Sequence, residues 1–218
     1  KRELNSKFYI YPMTKEEFKE KWGTKLDRKF TSSQIHLLNQ AFELFDSDFI
    51  SGKIETIILK DMGGVHGKWS DRKNHQMTLN PRIFNFKRLL HHGEQRIPYN
   101  LFIIVHEVGH CIDHLEKISF GPEWKRISKW KTCNIDERVP KGFKRYIEKR
   151  KGREAAGHKK SNWIHDESAH FCRKYSSRSP REDFADSFAF STFDILEKLH
   201  GEDGKKKQEI ISNLLKKI

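Results

Sequence analysis

Tyr99-Asn-Leu-Phe-Ile-Ile-Val-His-Glu-Val-Gly-His-Cys-Ile-Asp-His-Leu-Glu-Lys117 is the stretch on which the reading of this chain turns. It is apolar on nearly all sides, through Leu101, Phe102, Ile103, Ile104, Val105, Val108, Ile112 and Leu115, and the pattern predicts a helix that crosses the interior. His106, Glu107 and His110 lie inside it as the run H-E-V-G-H. At about 100° per residue, positions four apart share a helix face, so His106 and His110 aim imidazole nitrogens at one point. Glu107 is displaced round the helix and reaches a water held there. Satisfied core histidines are the plain alternative, but a buried helix carrying two His and a Glu needs something to offset their desolvation. The spacing suits zinc, which takes neutral imidazole and in catalytic sites keeps one position for water.

Two histidines do not complete such a site. The best source of a third ligand is Ser179-Pro180-Arg181-Glu182-Asp183-Phe184-Ala185-Asp186, where Glu182 and Asp186 are again four apart. A ligand His usually donates its other ring N–H to a carboxylate, so the reading assigns Glu182 to the metal and Asp186 to His106. The same residues also make a good helix start, with Ser179 as N-cap, Pro180 in the first turn and Glu182 as a capping-box partner. His114 continues the series from His110, but it lies about 6 Å further along the axis, too far to converge on one small ion.

Working outward, Ile35, Leu38, Phe42 and Phe45 recur at helical spacing behind Thr31-Ser32-Ser33, which predicts a helix over 31–46. Ile54 to Leu59 reads as a buried strand, the Gly-rich Met62 to Ser70 as a loop, and His75 to Leu79 as an edge strand before Pro81. An extended substrate would pair with that edge, at Asn74, His75, Gln76, Met77 and Thr78. Beyond Lys117 the pattern predicts helices near 122–131, 136–150, 162–174, 180–199 and 205–217. The expected fold is therefore α+β: a small N-terminal mixed sheet with an exposed edge, a mainly helical C-terminal half, and the zinc site between them.

The 218 residues suffice for one sizeable core, and no repeat or low-complexity linker divides them, so 1–218 reads as a single domain with a candidate N-terminal arm over 1–30. No apolar run reaches the roughly 18–20 residues that span a bilayer, so no transmembrane anchor is expected. The start shows no leader, although residue 1 is not Met and a leader could have been removed. Cys111, Cys133 and Cys172 lack paired spacing and read as idle thiols. The formal net charge is +13, and the stretch from Lys141 to Lys160 carries only Glu148 and Glu154 against its many Lys and Arg. Such a run favours an anionic surface or polyanion, whether nucleic acid, anionic lipid or glycan, or an acidic substrate, or is simply a solvated helix face.

Through H-E-V-G-H, then Tyr175 seven residues before Glu182, and then E-D-F-A-D, the sequence resembles the thermolysin-type zinc peptidases called gluzincins, and among them the catalytic domain of anthrax lethal factor and the secreted Pro-Pro endopeptidases. The resemblance covers about Ile54 to Leu199 and takes in Asp113. It implies a zincin-like metallopeptidase fold and one zinc ion held by His106, His110 and Glu182. It further implies Glu107 as the base that helps a zinc-bound water attack a peptide bond, Tyr175 as a stabiliser of the oxyanion, and Asp186 behind His106. Its partner would be a protein or peptide substrate, and the chain would be a secreted or delivered effector. The departure is the basic segment 117–160, which looks like an insertion. A SprT-like DNA-associated metalloprotease, with a third histidine on zinc, is the rival enzyme; a non-catalytic module of the same fold, gripping an anionic partner, is the rival of another class.

Overall fold

Two capping boxes start the first two helices among the described residues. The computed structural model describes residues 13–70, 75–92, 95–150 and 157–216. Thr14 accepts from the Glu17 N–H while Glu17 reaches back to the Thr14 N–H, opening α1 (Lys15–Trp22), and Thr31 with Gln34 does the same for α2 (Ser32–Phe42). Between them lies β1 (Lys25–Leu26), and after them the short α3 (Ser47–Ile50). Phe18, Trp22 and Phe30 are buried, so from Lys15 onward the expected arm over 1–30 is instead part of the core; residues 1–12 lie outside the described residues.

A four-stranded sheet follows, of β1, β2 (Thr56–Leu59), β3 (Gly67–Ser70) and β4 (Gln76–Leu79), in the order β1-β2-β4-β3. The first three in that order run parallel and β3 lies antiparallel on β4. This corrects the expected edge. Gln76, Met77 and Thr78 lie on an interior strand paired on both sides, His75 just precedes it, and Asn74 lies outside the described residues. The outer strand is β3, from the stretch expected to be loop. Its glycines concealed it, whereas the near-complete burial of β4 marks a strand covered on both faces.

A hairpin of β5 (Leu89–His92) and β6 (Gln95–Pro98) leads into α4 (Tyr99–Glu116), the long interior helix. Phe102, Ile104, Val105, Val108 and Ile112 are all buried, and Lys117 ends the helix at φ 58°. Behind it, α5 (Pro122–Ile127) turns through Lys129 at φ 54° into a three-stranded antiparallel sheet. Its strands are β7 (Trp130–Thr132), β8 (Phe143–Arg150) and β9 (Gly157–Asp166), in the order β7-β9-β8. The helices expected over 136–150 and 162–174 are therefore not formed. Burial of Trp130, Ile164 and His165 along paired strands outweighs the helix propensity of the Lys, Arg and Glu around them.

A 3₁₀ turn (Ser176–Arg178) precedes α6 (Pro180–Thr192), and α7 (Leu196–Lys216) closes the chain. The single helix expected over 180–199 breaks at Asp194, which stands at φ 57°. One hydrophobic cluster runs from Phe18 to Leu214, with α4 and α6 at its centre. The class is mixed α+β, and among the described residues no helix is long and apolar enough to cross a membrane.

Candidate metal centre

The centre forms where α6 crosses α4. Gly109 makes this crossing close: a Cβ placed there would stand 3.0 Å from the Ala185 Cα and 3.2 Å from the Ala185 carbonyl oxygen. With no side chain at Gly109, the first turn of α6 comes to lie over His106 and His110. Ser179 caps α6 by accepting from the Glu182 N–H at 3.3 Å, with Pro180 in the first turn. The Glu182 carboxylate makes no reciprocal cap and turns to the histidines instead.

Glu182 Oε2 lies 3.4 Å from His106 Nε2 and 3.2 Å from His110 Nε2, yet it has no hydrogen-bond partner among the described residues. The two imidazoles stand nearly perpendicular, with ring centres 4.7 Å apart. His106, His110 and Glu182 thus offer three donor atoms, all within 4.8 Å of one another, that could hold a metal ion. Burial works to raise the Glu182 pKa, but the two imidazoles bring it well below the ordinary carboxylate value. His114 lines the cleft without joining the converging donors.

Behind His106, Asp186 Oδ1 lies 2.7 Å from Nδ1. A carboxylate only accepts, so Nδ1 carries the proton and Nε2 faces Glu182. Asp186 is itself fully enclosed: Arg173 donates to both its oxygens, through Nε at 3.0 Å and through a second, shorter bond, and Ser176 Oγ donates at 2.5 Å. Burial would lower the His106 pKa, but Asp186 and Glu182 push it up to about 10 in the metal-free protein. Arg173 and Ser176 were not singled out by sequence reasoning, although both sit in the run that also supplies Tyr175.

Glu107 is 5% exposed, and its Oε2 is without a hydrogen-bond partner among the described residues. Burial raises its pKa above the ordinary carboxylate value, which suits a group that takes up a proton near neutral pH. The edge strand lies directly on it: a Cβ on Gly67 would fall 2.3 Å from the Glu107 carboxylate. Tyr175 donates its hydroxyl to Glu182 Oε1 at 3.2 Å and accepts from Arg178 at 3.1 Å. Burial and the Glu182 charge raise its pKa, so it stays protonated and able to donate. Asp113 is buried and accepts from the Ser119 N–H and Oγ at 2.7 Å each, so it ties down the turn after α4.

These groups face a cleft of ≈ 430 Å³, walled on one side by Val65, Gly67, Lys68 and Trp69 and on the other by Tyr175 and Arg178. Gln76, Met77 and Thr78 do not line it.

Asp183, next to Glu182 in sequence, points the other way. It accepts from the Trp124 and Trp130 indoles at 3.1 and 3.3 Å and from Lys207 Nζ at 2.8 Å, and both Asp183 and Lys207 are fully buried. Comparison with protein-family models, with curated proteins and with solved structures finds no match for the chain.

Proposed function

We propose that the chain is a zinc-dependent endopeptidase of the gluzincin type. The observation that carries this reading is the convergence of His106 Nε2, His110 Nε2 and Glu182 Oε2 beside an unpartnered Glu107, in a cleft bordered by a strand edge. The donor set favours zinc. In a tetrahedral site with bonds of 2.0–2.1 Å, neighbouring ligand atoms stand about 3.3–3.4 Å apart, and the two separations in question are 3.4 and 3.2 Å. When bound, zinc would supply Lewis acidity that polarises a carbonyl and brings the pKa of a water towards neutrality.

The chain's own residues supply the rest. Glu107 takes the proton of the attacking water on its carboxylate and delivers it to the departing amine, so no covalent enzyme intermediate is needed. The Tyr175 hydroxyl donates to the oxyanion, a role in which one donor contributes about 3 kcal/mol. Asp186 keeps the His106 proton on Nδ1 and its Nε2 free for the metal. The substrate lies extended along β3, whose outer edge is unpaired among the described residues, and pairs with it backbone to backbone.

Glu107→Gln tests this. It should retain zinc at one ion per chain by metal analysis while cleaving no member of a random peptide library that the native chain cleaves. Undiminished cleavage by Glu107→Gln would refute the mechanism, and absence of cleavage by the zinc-loaded native chain would refute the function.

A further inference from the structure

The metal cleft continues beyond Tyr175. Arg178 and Ser179 also line a second hollow of ≈ 440 Å³, and Trp163 is shared between that hollow and a third, of ≈ 710 Å³, over α5 and the β7–β9 ladder. Each neighbouring pair of hollows shares lining residues, so the three stand in a row from the metal centre across the C-terminal sheet and are taken together as a groove. The sheet is fastened to the tyrosine-bearing turn, because Ser161 Oγ on β9 donates to the Arg178 carbonyl at 2.9 Å.

Beyond the carboxylates of the metal cleft itself, Glu107, Asp113 and Glu182, the charge of this groove is mainly positive. Arg181 stands at the cleft end, Lys160 in the middle, and Lys125, Arg126 and Lys131 at the far end, where Lys129 already donates to the Ser168 hydroxyl at 2.8 Å. No carboxylate is among the described residues that line the middle hollow. At the far end Asp166 already accepts from the Ser168 N–H and Oγ at 2.8 and 2.6 Å. Cations of one sign along a walled groove focus their field on an anionic ligand.

Apart from the half-buried Tyr146 in the middle hollow, the aromatic rings there are already engaged, which favours a polypeptide over nucleic acid. Trp163 stacks on Phe120 at 5.7 Å, Lys131 covers Phe143 at 4.5 Å, and Trp130 is buried with its indole on Asp183. They act as walls and as seats for cations, whereas single-stranded nucleic acid needs open ring faces on which bases stack.

We propose that the groove is an extended substrate subsite for polypeptides that carry acidic side chains several residues to one side of the bond to be cut. The inference rests on the peptidase reading, in that the groove opens from the same cleft. Lysines that are exposed, as Lys131 and Lys160 are, or half-buried, as Lys125 is, hold carboxylates through modest, salt-screened attractions, so the subsite acts on KM and leaves kcat unchanged.

The test uses the full chain carrying Glu107→Gln and a fluorescent peptide with a run of Asp and Glu, compared by anisotropy with the same peptide bearing Ser at those positions. The acidic peptide should bind about tenfold more tightly, as three such ion pairs allow. The preference should vanish at high salt and in a variant that adds Lys125→Glu, Lys131→Glu and Lys160→Glu. In the active protein, those three reversals should leave kcat/KM on an unextended peptide unchanged and remove the KM advantage of an acidic extension. Equal binding of the two peptides, or a preference that survives the reversals, would overturn the proposal, as would a single-stranded DNA oligonucleotide outcompeting the acidic peptide. Absence of the preference in the native chain, with its cleavage intact, would sink the groove alone. Charge-dependent binding without any cleavage by the native chain would sink the peptidase reading and leave the groove as an acidic-polypeptide site.

Discussion

On the proposed peptidase reading, Gly67→Ala should abolish most activity without loss of metal binding or of the fold. A Cβ at position 67 would lie 2.3 Å from the Glu107 Cδ and Oε1, where an ordinary contact is at least 3.4 Å. Something must move by about 1 Å, and a misplacement of that size near a reacting centre costs about 10²-fold in rate. The part that yields is the Glu107 carboxylate, the far end of a flexible side chain, because β3 is held by its ladder to β4. The cost in stability is therefore small, and His106, His110 and Glu182 are not touched. The assay is kcat on a peptide that the native chain cleaves, with zinc content and thermal midpoint measured on the same preparations. The expected result is about a hundredfold loss of kcat, full zinc occupancy and a midpoint within a few degrees. Native kcat in Gly67→Ala would show that Glu107 does not work from the position in which the strand holds it. Loss of zinc would show that β3 supports the metal ligands as well as the base.

The remaining expectations follow from the same geometry. Glu182→Ala should weaken zinc binding by more than about a hundredfold, the loss expected even for a residue behind a ligand being about 10–100-fold; equal zinc content in this variant and the native chain would return Glu182 to a capping role. Asp183→Ala should destabilise the fold by about 3–5 kcal/mol, because it leaves Lys207 charged and buried without its partner. Denaturant titration measures this, and a change below about 1 kcal/mol would contradict the buried pair. His106, raised from 6.5 to about 10 without metal, contributes stability to the metal-free protein that is full below pH 6.5 and is lost as pH rises through about 10. Zinc must displace that proton, so its affinity should rise about tenfold per pH unit across this window, and titration calorimetry in buffers of different ionisation enthalpy should report close to one proton released. Heats independent of buffer would rule this out.

The parts of this molecule that are legible in its sequence are those whose geometry is local. Four-residue spacing puts His106 with His110 and Glu182 with Asp186 whatever the rest of the chain does, and Thr31 marks a helix start through contacts three residues away. The β7-β9-β8 sheet is different in kind. Trp130 pairs with His165 across more than thirty residues, and nothing within Phe143–Arg150 alternates strictly enough to announce a strand. The outer strand of the N-terminal sheet is illegible for a related reason. Whether β3 or β4 is outermost depends on which neighbour β2 chooses, a long-range pairing that four-residue strands do not encode by themselves.

Gly109 shows how far a local pattern can reach once the packing is known. Within H-E-V-G-H it looks like a spacer, and a glycine inside a helix costs about 1 kcal/mol relative to alanine. That cost is offset by what the position admits: the backbone of α6 at Ala185, closer than a side chain at 109 would allow. Ala185 lies between Glu182 and Asp186, so the same close approach delivers both carboxylates to His106, one to each ring nitrogen. A larger residue at either end of the contact would push α6 outward and lengthen both interactions together. The residues that bear the chemistry therefore depend on two that bear none, and the Arg173–Ser176 run then fixes Asp186 from the far side. The candidate metal centre is a property of this helix crossing, with the motif supplying only one of its two faces.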